Sequence, residues 1–332
     1  MAMRKPRVVV ITGASAGVGR ATALEFARRG VDVAMIARDR QALEDAAADV
    51  RALGVRALSI ALDVSESGAL DSAAARVEAE LGPIDVWVNN AMLTSFARFA
   101  DMPERDFRRI TDVTYLGFVW GTMAALKRMT PRNRGVIVQV GSALAYRSIP
   151  LQSAYCGAKH AIRGFTDSLR CELHHAKSRI HLTMVQMPAL NTPQFDWARS
   201  AMPHAPRPVA PIYEPEVAAR AIWWAATHRR RELWVGMSSV KAIVANAIIP
   251  GLLDVYLGRT GFRAQQDPAL SSGERPGNLS QPVTELHRVH GRFTDEAKRA
   301  SASFWVDTHR GLLLCAGLGL GAIIARLMRR RA

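Results

Sequence analysis

Cysteine is scarce in this chain, and its spacing suits neither disulfides nor a metal centre. The 332 residues contain three cysteines, Cys156, Cys171 and Cys315, an odd number without the short spacings typical of metal ligands. We therefore expect no disulfide framework and no metal site, and a reducing compartment, the cytoplasm. Residues 1–13 run directly into a strand-like segment, so no secretory signal is expected there.

Acidic residues are also few relative to basic ones. The chain has 29 Asp and Glu against 44 Lys and Arg, a formal net charge of +15. Such an excess can indicate nucleic acid or an anionic membrane as partner. The basic residues are scattered, however, and no DNA- or RNA-binding signature is present. No nucleic-acid partner is expected, and cofactor phosphates or an anionic lipid surface are the more economical partners.

Short apolar runs rich in β-branched residues alternate with predicted helices, among them one from about Ser65, a plausible N-cap, to 81 and one over 103–129. The runs, each a predicted strand, cover 7–11, 31–37, 56–62, 85–89, 135–140, 180–187 and 232–235. Strands that are apolar throughout and separated by helices form parallel sheets covered on both faces. The pattern predicts an α/β doubly wound fold with a seven-stranded, mostly parallel sheet. Ligands of such sheets bind beyond the carboxyl ends of the strands.

The first junction of strand and helix carries a glycine pattern suited to a pyrophosphate. Its residues are Thr12, Gly13, Ser15, Gly17, Val18 and Gly19. At such a junction, backbone N–H groups and the positive end of the helix dipole face the phosphates. The glycines permit a tight turn and a close approach of the ligand. The spacing G-x-x-x-G-x-G differs from the commoner G-x-G-x-x-G, and a purely structural turn is the alternative.

A serine, a tyrosine and a lysine follow the fifth predicted strand. Ser142 ends the apolar run, and Tyr155 and Lys159 lie four residues apart on a predicted helix over 152–176. Residues four apart share a helix face, so a cationic Lys159 is expected to lower the pKa of Tyr155 from about 10. Ser142 can hydrogen-bond the same substrate oxygen. The three residues suit acid/base chemistry on a carbonyl or alcohol, although Tyr-x-x-x-Lys alone often occurs by chance.

Polar and glycine residues at the ends of several predicted strands converge on one crevice. They are Gly13, Arg38, Asp63, Asn89, Ser142 and Pro188. The carboxyl ends of parallel strands meet at one edge of the sheet. With these residues at the same edge, chance no longer explains the Ser142, Tyr155 and Lys159 pattern.

Residues 7 to about 257 resemble the short-chain dehydrogenase/reductase family. The matching motifs are Thr12-Gly13-x-x-x-Gly17-x-Gly19, Asp63-Val64, Asn89-Asn90-Ala91, Ser142, Tyr155-x-x-x-Lys159 and Pro188 with Thr192. Each motif is modest alone, but six in the family's order and spacing are specific. The resemblance implies a Rossmann fold and hydride transfer between NAD(P)(H) and a carbonyl/alcohol pair.

The resemblance also implies catalytic roles. Tyr155 would donate a proton to the carbonyl oxygen, Ser142 would orient that oxygen, and Lys159 would bind the nicotinamide ribose as well as lower the tyrosine pKa. Thr114 stands where the family has a relay Asn whose main-chain carbonyl holds a water. Any residue can supply that carbonyl, so activity is expected, with a dinucleotide-binding sensor or scaffold without turnover as the alternative.

Further residues would contact the cofactor. Asp63, with Val64, is expected near the adenine ring, and Asn89, with Ala91, near the adenine ribose. Thr192 would reach the nicotinamide amide. Helix capping by Asp63 and a plain loop position for Thr192 are the alternatives.

The end of the second strand bears on cofactor choice. An acidic residue there would bind the ribose 2′-hydroxyl, but the chain has Ala37 followed by Arg38, which favours NADP(H) over NAD(H). Arg38 could instead stack on adenine, and Asp39 makes the prediction less clear. Met92 replaces the family's glycine after Ala91, so it must adopt a glycine-like conformation or the loop must shift.

The C-terminal third is harder to interpret. Residues 242–257 are apolar but interrupted by Pro250-Gly251, which predicts two short helices beside an apolar substrate pocket. Residues 258–303 are predicted to be an irregular extension over the body, and 304–332 an apolar helix with an arginine-rich tail. The uncharged stretch 311–325 would span about 22 Å as a helix, short of a bilayer core of about 30 Å. Membrane contact at the cytoplasmic face and a packing or dimer helix are the alternatives; a homo-oligomer is expected from the family resemblance.

Overall fold

The computed structural model describes residues 3–271 and 277–311. The strands in these ranges are β1 Val8–Thr12, β2 Asp32–Ala37, β3 Ala57–Ala61, β4 Val86–Asn89, β5 Ser95–Phe96, β6 Val136–Ser142, β7 His181–Met187, β8 Arg199–Ser200, β9 His204–Pro206, β10 Glu232–Trp234 and β11 Gln266–Ser271. The α-helices are α1 Gly17–Arg28, α2 Arg40–Arg51, α3 Ala69–Glu80, α4 Glu104–Thr111, α5 Gly117–Met129, α6 Ser153–His175, α7 Gln194–Trp197, α8 Pro215–Thr227, α9 Met237–Ile248, α10 Pro250–Ala264 and α11 Ala302–Thr308.

Seven strands form one sheet in the order β10-β7-β6-β4-β1-β2-β3. Every pairing within it is parallel, and Val9 of β1 lies between Val33 of β2 and Val86 of β4. The chain proceeds outward from β1 in one direction and then returns to continue from β4 in the other. The predicted doubly wound α/β fold is confirmed, and the reversal opens a crevice at the carboxyl ends of β1 and β4.

Helices cover both faces of the sheet because successive side chains of a strand point to opposite faces. Val9 and Ile11 of β1 belong to a core with Phe26 of α1 and residues of α2 and α8. Val8 and Val10 belong to a second core with residues of α3 and α5. Two apolar layers explain why the strands are apolar throughout.

Two predicted helices differ in detail. The segment predicted as one helix over 103–129 consists of α4, a π-helical turn at Asp112–Leu116, and α5. The helix predicted to begin near Ser65 begins at Ala69, after Gly68 in the left-handed region at φ 80°. Ser65 instead hydrogen-bonds Asp63 through both its N–H and its hydroxyl.

The C-terminal third is packed against the body. The two short helices predicted around Pro250 are present as α9 and α10, but the predicted boundary at 257 falls inside α10. β11 pairs antiparallel with β9, and residues 277–301 run irregularly before α11. The predicted apolar helix lies almost wholly outside the described residues. No helix in the described ranges is long and apolar enough to cross a membrane.

Candidate active site

The turn between β1 and α1 requires glycine at three positions. Gly13 and Gly17 have φ values of +67° and +52°, which side chains rarely adopt. A Cβ added at Gly19 would lie 2.0 Å from the carbonyl oxygen of Gly13. The turn is therefore a close-fitting backbone cradle at the N-terminus of a helix.

A cleft opens beside this turn, at the carboxyl ends of β1, β2 and β4. Of the predicted cofactor residues, it is lined by Gly13, Ser15, Gly17, Val18, Gly19, Arg38, Asp63, Val64, Ala91 and Thr192. Thr12, Asn89, Tyr155, Lys159 and Pro188 are not part of this lining. Residues that the sequence prediction omitted also line it, among them Asn90, Trp197, Asn278, Pro282, Val283 and His287.

Asn89 requires a correction. Its side chain is fully buried, accepts a hydrogen bond from Trp87 Nε1 at 2.8 Å and donates to Gln139 Oε1 at 2.9 Å. It lies in the core because β4 turns alternate residues to opposite faces. The next residue, Asn90, donates from Nδ2 to the carbonyl oxygens of Thr12 and Gly13 at 2.9 and 3.3 Å. Asn90 therefore supports the glycine turn, while the side chain of Asn89, expected near the adenine ribose, lies in the core.

Thr12 also supports the glycine turn, from the side away from the cleft. Its hydroxyl accepts hydrogen bonds from the backbone N–H groups of Asn90 at 2.9 Å and Ala91 at 3.1 Å. The side chain is buried. Thr12 joins the ends of β1 and β4 and does not face the cleft.

The two departures from the family pattern lie next to each other. Met92 stays out of the left-handed region, so the loop has adjusted to a residue other than glycine. The hydroxyl of Thr114, within the π-helical turn, accepts from Leu93 N–H at 2.9 Å and donates to the Leu93 carbonyl at 3.0 Å. This pair of bonds fixes the residue after Met92.

Ser142, Tyr155 and Lys159 come together as predicted. Ser142 ends β6, where its hydroxyl accepts a hydrogen bond from the Leu144 N–H at 3.1 Å, and it is near enough to the Tyr155 hydroxyl to lower the pKa of that group. Tyr155 and Lys159 lie on the buried face of α6, with the Lys159 Nζ 5.5 Å from the centroid of the tyrosine ring. The structure therefore brings the hydroxyl groups of Ser142 and Tyr155 together beside the Lys159 amine.

The electrostatics of this group differ from the expectation. Burial raises the pKa of the Tyr155 hydroxyl, and the neighbouring Ser142 hydroxyl offsets this only in part. Burial also lowers the pKa of the Lys159 ammonium from 10.5 to about 7. Lys159 donates to the carbonyl oxygen of Val140 at 2.7 Å. In this structure the phenol is therefore held in its protonated form.

Asp63 is held by neighbouring donors at the end of the cleft beyond β3. Burial opposes its ionisation, but hydrogen bonds from Arg109 and Ser65 outweigh that effect and lower its pKa. Arg109 Nη1 also donates to Ser65 Oγ at 2.7 Å. Burial lowers the pKa of the Arg38 guanidinium at the same end, and the Asp63 carboxylate partly offsets that effect.

Two carboxylates and a histidine lie together outside the cleft. The donor atoms of Glu214, Glu216 and His290 are within 4.8 Å of one another. His290 Nε2 is 2.8 Å from Glu216 Oε1, and Arg220 and Arg299 line the same hollow. Ion pairing with these cationic neighbours is enough to explain why the two carboxylates lie together, and we assign no metal to the cluster.

Comparisons with known proteins agree with this geometry. The short chain dehydrogenase family profile matches residues 7–202. The uncharacterized oxidoreductase YxnA of Bacillus subtilis is 30% identical over 324 residues, covering 96% of this chain and 89% of that protein.

Solved structures show the same architecture. A short-chain dehydrogenase from Streptomyces avermitilis is 29% identical with a TM-score of 0.64, covering 78% of this chain and 96% of that one. An alcohol dehydrogenase from Thermococcus sibiricus, complexed with 5-hydroxy-NADP, is 27% identical with a TM-score of 0.61. The match covers 69% of this chain and 96% of the archaeal one.

Proposed function

The chain belongs to the short-chain dehydrogenase family and is an NAD(P)-dependent oxidoreductase, and from that premise we propose that it uses NADP(H) to interconvert an apolar carbonyl compound and its alcohol. The observation that carries the proposal is the grouping of Ser142, at the end of β6, with Tyr155 and Lys159 on the buried face of α6. These groups would act on one substrate oxygen.

The chemistry of the proposed site follows from the protonation of its residues. A bound nicotinamide supplies the hydride for reduction or accepts it in oxidation. Tyr155, protonated because of its raised pKa, delivers its proton to the carbonyl oxygen that becomes the alcohol. The Ser142 hydroxyl donates a second hydrogen bond to that oxygen, where negative charge develops. Lys159 contributes a proton or positive charge to the tyrosinate left behind.

The residues around the cleft fit a dinucleotide. The glycine turn forms a cradle that any Cβ at Gly19 would fill, and the N–H groups at the start of α1 suit a pyrophosphate. Ser15 and Val18 would hold the phosphates, since the Gly17 N–H is already bonded to the Arg288 carbonyl at 3.0 Å and Gly17 serves the shape of the turn. Asp63 and Val64 would border the adenine, and Thr192 would face the nicotinamide end.

The preference for NADP(H) is supported by the surroundings of Arg38. Its guanidinium lines the cleft after β2. The neighbouring Asp39 accepts a hydrogen bond from Ala42 N–H at 2.9 Å, as the N-cap of α2, and lies 3.4 Å from His287 Nε2. Its carboxylate is thus engaged at the helix N-terminus and not free to bind a ribose hydroxyl. The Thermococcus relative was solved with an NADP derivative, which is consistent with this choice.

An apolar substrate is supported by a cluster of hydrophobic side chains near the catalytic helix. Phe96, Leu151, Ala198 and Met202 are buried together, with Phe195 and Phe262 packed against them. Leu151 lies four residues before Tyr155 in the segment that leads into α6. A panel of long-chain and cyclic carbonyls and alcohols, followed by NADPH absorbance, would identify the substrate class.

Replacing Tyr155 tests turnover against mere binding. Tyr155→Phe should abolish turnover while NADPH binding stays near wild type, since Tyr155 does not line the cleft. Thr166→Val, farther along the buried face of α6, is a matched control for disturbance of the helix. A Tyr155→Phe protein as active as wild type would refute the catalytic assignment; wild-type protein that binds NADPH but reduces nothing would favour the sensor alternative.

We also propose membrane contact through residues 304–332, at the cytoplasmic face. Trp305 and Val306 of α11 are 53% and 44% exposed, immediately before the apolar stretch. Full-length protein should fractionate with membranes and a deletion of 304–332 should not. A full-length protein that remains entirely in the soluble fraction would rule this out.

Homo-oligomerisation is proposed from the family membership. Met123 of α5 is 58% exposed, as expected of a helix face that packs on a second copy. Light scattering of wild type and Met123→Glu would test whether this face joins two chains.

A further inference from the structure

Residues 277–293, which we call the strap, run along the mouth of the dinucleotide cleft. The strap is far in sequence from the glycine turn, the nearest of whose residues is Gly19. Its residues Asn278, Pro282, Val283 and His287 nevertheless line the cleft together with that turn. A C-terminal segment therefore shares a site with the N-terminal dinucleotide turn.

One end of the strap is held by Arg38 and Arg109, at the end of the cleft where Asp63 lies. Arg38 Nη2 donates to the carbonyl oxygen of Asn278 at 2.5 Å, and Nη1 donates to those of Leu279 and Ser280 at 3.2 and 3.3 Å. Arg109 Nε donates to the Leu279 carbonyl at 2.8 Å. The Leu279 side chain is 3% exposed, in the same core as Val64. Leu279 thus anchors the strap.

The other end is fixed to the glycine turn itself. The N–H of Gly17, the first residue of α1, donates to the carbonyl oxygen of Arg288 at 3.0 Å. Arg20 Nη1 donates to the carbonyl of His287 at 2.6 Å. The N-cap residue Ala16 has no side chain that could cap the helix, so the strap carbonyl takes that place.

Near each of these anchors the strap leaves a side-chain polar atom without a partner among the described residues. Asn278 Oδ1 and His287 Nδ1 are buried and have no hydrogen-bond partner among the described residues. Buried polar groups in native proteins are nearly always paired, so each such atom calls for an explanation. Both residues line the cleft, and a ligand with polar edges, such as a nucleotide, would explain them.

We propose that the strap is the outer wall of the cofactor site and that it encloses the adenosine-diphosphate half of the bound dinucleotide against the glycine turn. The inference rests on the proposed dinucleotide-dependent function. Pro282 and Val283 supply apolar contact, Asn278 and His287 supply polar contact, and the backbone of 278–280 holds Arg38 in place at the 2′-phosphate end. The strap is thereby a determinant of cofactor affinity contributed by the C-terminal extension.

The opposite arrangement, in which the strap blocks the cleft until displaced, fits less well. The strap side chains that line the cleft are half-buried at Pro282, Val283 and His287 and buried only at Asn278, so the strap borders the cleft and does not fill it. Its bonds to Arg38 use the terminal nitrogens Nη1 and Nη2, which leaves the Nε–H available. Blocking predicts that loosening the strap tightens cofactor binding, whereas enclosure predicts that loosening weakens it.

A charge placed on the strap tests contact with the cofactor. Val283→Asp adds a carboxylate facing the phosphates, and Val283→Asn is the neutral control of the same shape. NADPH binding without substrate, measured by fluorescence titration, should weaken about tenfold for Val283→Asp through charge repulsion, and less than about twofold for Val283→Asn. Because Val283 is only half-buried, the Tm of both variants should stay near wild type, which separates a binding effect from misfolding.

Loosening the anchor is a second, independent test. Leu279→Ala should speed NADPH release in a stopped-flow chase about tenfold or more, because removing a buried leucine side chain leaves a cavity that loosens the local packing. Leu286→Ala is the control, because Leu286 is 38% exposed, and this variant should release NADPH at the wild-type rate. Hydrogen exchange of peptides from 277–293 in the full-length protein should slow when NADPH is added.

The results separate the two claims. If wild-type protein binds neither NADPH nor NADH, the proposed function and this inference are both wrong. If wild type binds NADPH but Val283→Asp binds it as tightly, or Leu279→Ala binds it more tightly, or the strap exchanges faster with NADPH, the enclosure is overturned and the oxidoreductase function stands.

Discussion

The Nζ atom of Lys159 donates a hydrogen bond of 2.7 Å to the carbonyl oxygen of Val140, at the end of β6 next to Ser142. Lys159 is 2% exposed, and burial lowers the pKa of its ammonium to about 7. This carbonyl and the rings of Phe118 and Tyr155, whose centroids are 4.7 and 5.5 Å from Nζ, do not compensate the lost hydration of a full charge. The residue proposed to assist Tyr155 therefore destabilises the fold in this state.

Replacing Lys159 with an apolar residue of similar length should raise stability. The lysine of the unfolded chain has a pKa of about 10.4, so between pH 7 and 10 the unfolded state binds more protons than the folded one. Stability of wild type consequently rises with pH across that window. Lys159→Met should show a higher Tm than wild type at pH 6, by several degrees, with the gap shrinking toward pH 10. Calorimetry of the cofactor-free protein measures this, and a lower Tm for Lys159→Met at pH 6 would refute it.

His181 should make the protein sensitive to acid. Burial, with repulsion from Arg229, lowers the pKa of His181 to about 4, and its Nε2 accepts a hydrogen bond from Arg230 N–H at 3.3 Å. The unfolded histidine titrates near 6.5, so stability is lost as the pH falls from about 6.5 toward 4, by at most about 3 kcal/mol. His181→Gln, which keeps an acceptor but no titrating group, should flatten the curve of unfolding free energy over that range. Equal acid sensitivity in the two proteins would exclude His181 as the cause.

Gly19→Ala should prevent dinucleotide binding. The new methyl would lie 2.0 Å from the Gly13 carbonyl oxygen and 2.8 Å from Asn90 Nδ2, so the turn must open. We expect NADPH affinity to fall by about a hundredfold or more, equivalent to about 3 kcal/mol. Gly164→Ala, on the exposed side of α6 with nothing within 4 Å, should leave affinity unchanged and stabilise the helix by about 0.5–1 kcal/mol. Titration of both variants decides the matter.

Asn89 and Asn90 should separate stability from cofactor binding. Asn89→Ala leaves Trp87 Nε1 and Gln139 Oε1 without a buried partner, which should cost about 2–4 kcal/mol of unfolding free energy. The KM for NADPH should change little at a temperature where the variant is folded. Asn90→Ala releases the carbonyls of Thr12 and Gly13 at the turn and should instead raise that KM. If Asn89→Ala raised the KM for NADPH and Asn90→Ala did not, the prediction that Asn89 lies near the adenine ribose would be restored.

Arg38 should carry the preference for the phosphorylated cofactor. Arg38→Ala should raise the KM for NADPH at least about tenfold while changing that for NADH less, because one charge-assisted contact to the 2′-phosphate is lost. Arg40→Ala, at the exposed first position of α2, is the matched control. Steady-state kinetics with both cofactors gives the ratio of the KM for NADPH to the KM for NADH in each protein. A wild-type preference for NADH would contradict the prediction.

The sequence by itself determined the sheet, the glycine turn and the Ser142, Tyr155 and Lys159 group. These features depend on local patterns: β-branched runs make strands, closely spaced glycines permit a turn, and residues four apart share a helix face. The same patterns placed Gly13, Arg38 and Asp63 at one edge of the sheet, where the structure has them.

Only the tertiary structure decided which way Asn89 and Asn90 face, what charge Lys159 carries and where residues 277–293 lie. Each depends on contacts between segments far apart in sequence: the pleat of β4 against α5, the burial of α6 against the sheet, and backbone carbonyls of the strap on Arg38 and Gly17. A backbone carbonyl is present at every residue and leaves no mark in the sequence. For that reason the composition of 277–293 predicts only an irregular extension, and the tertiary structure is needed to show that this segment lines the cleft beside the glycine turn.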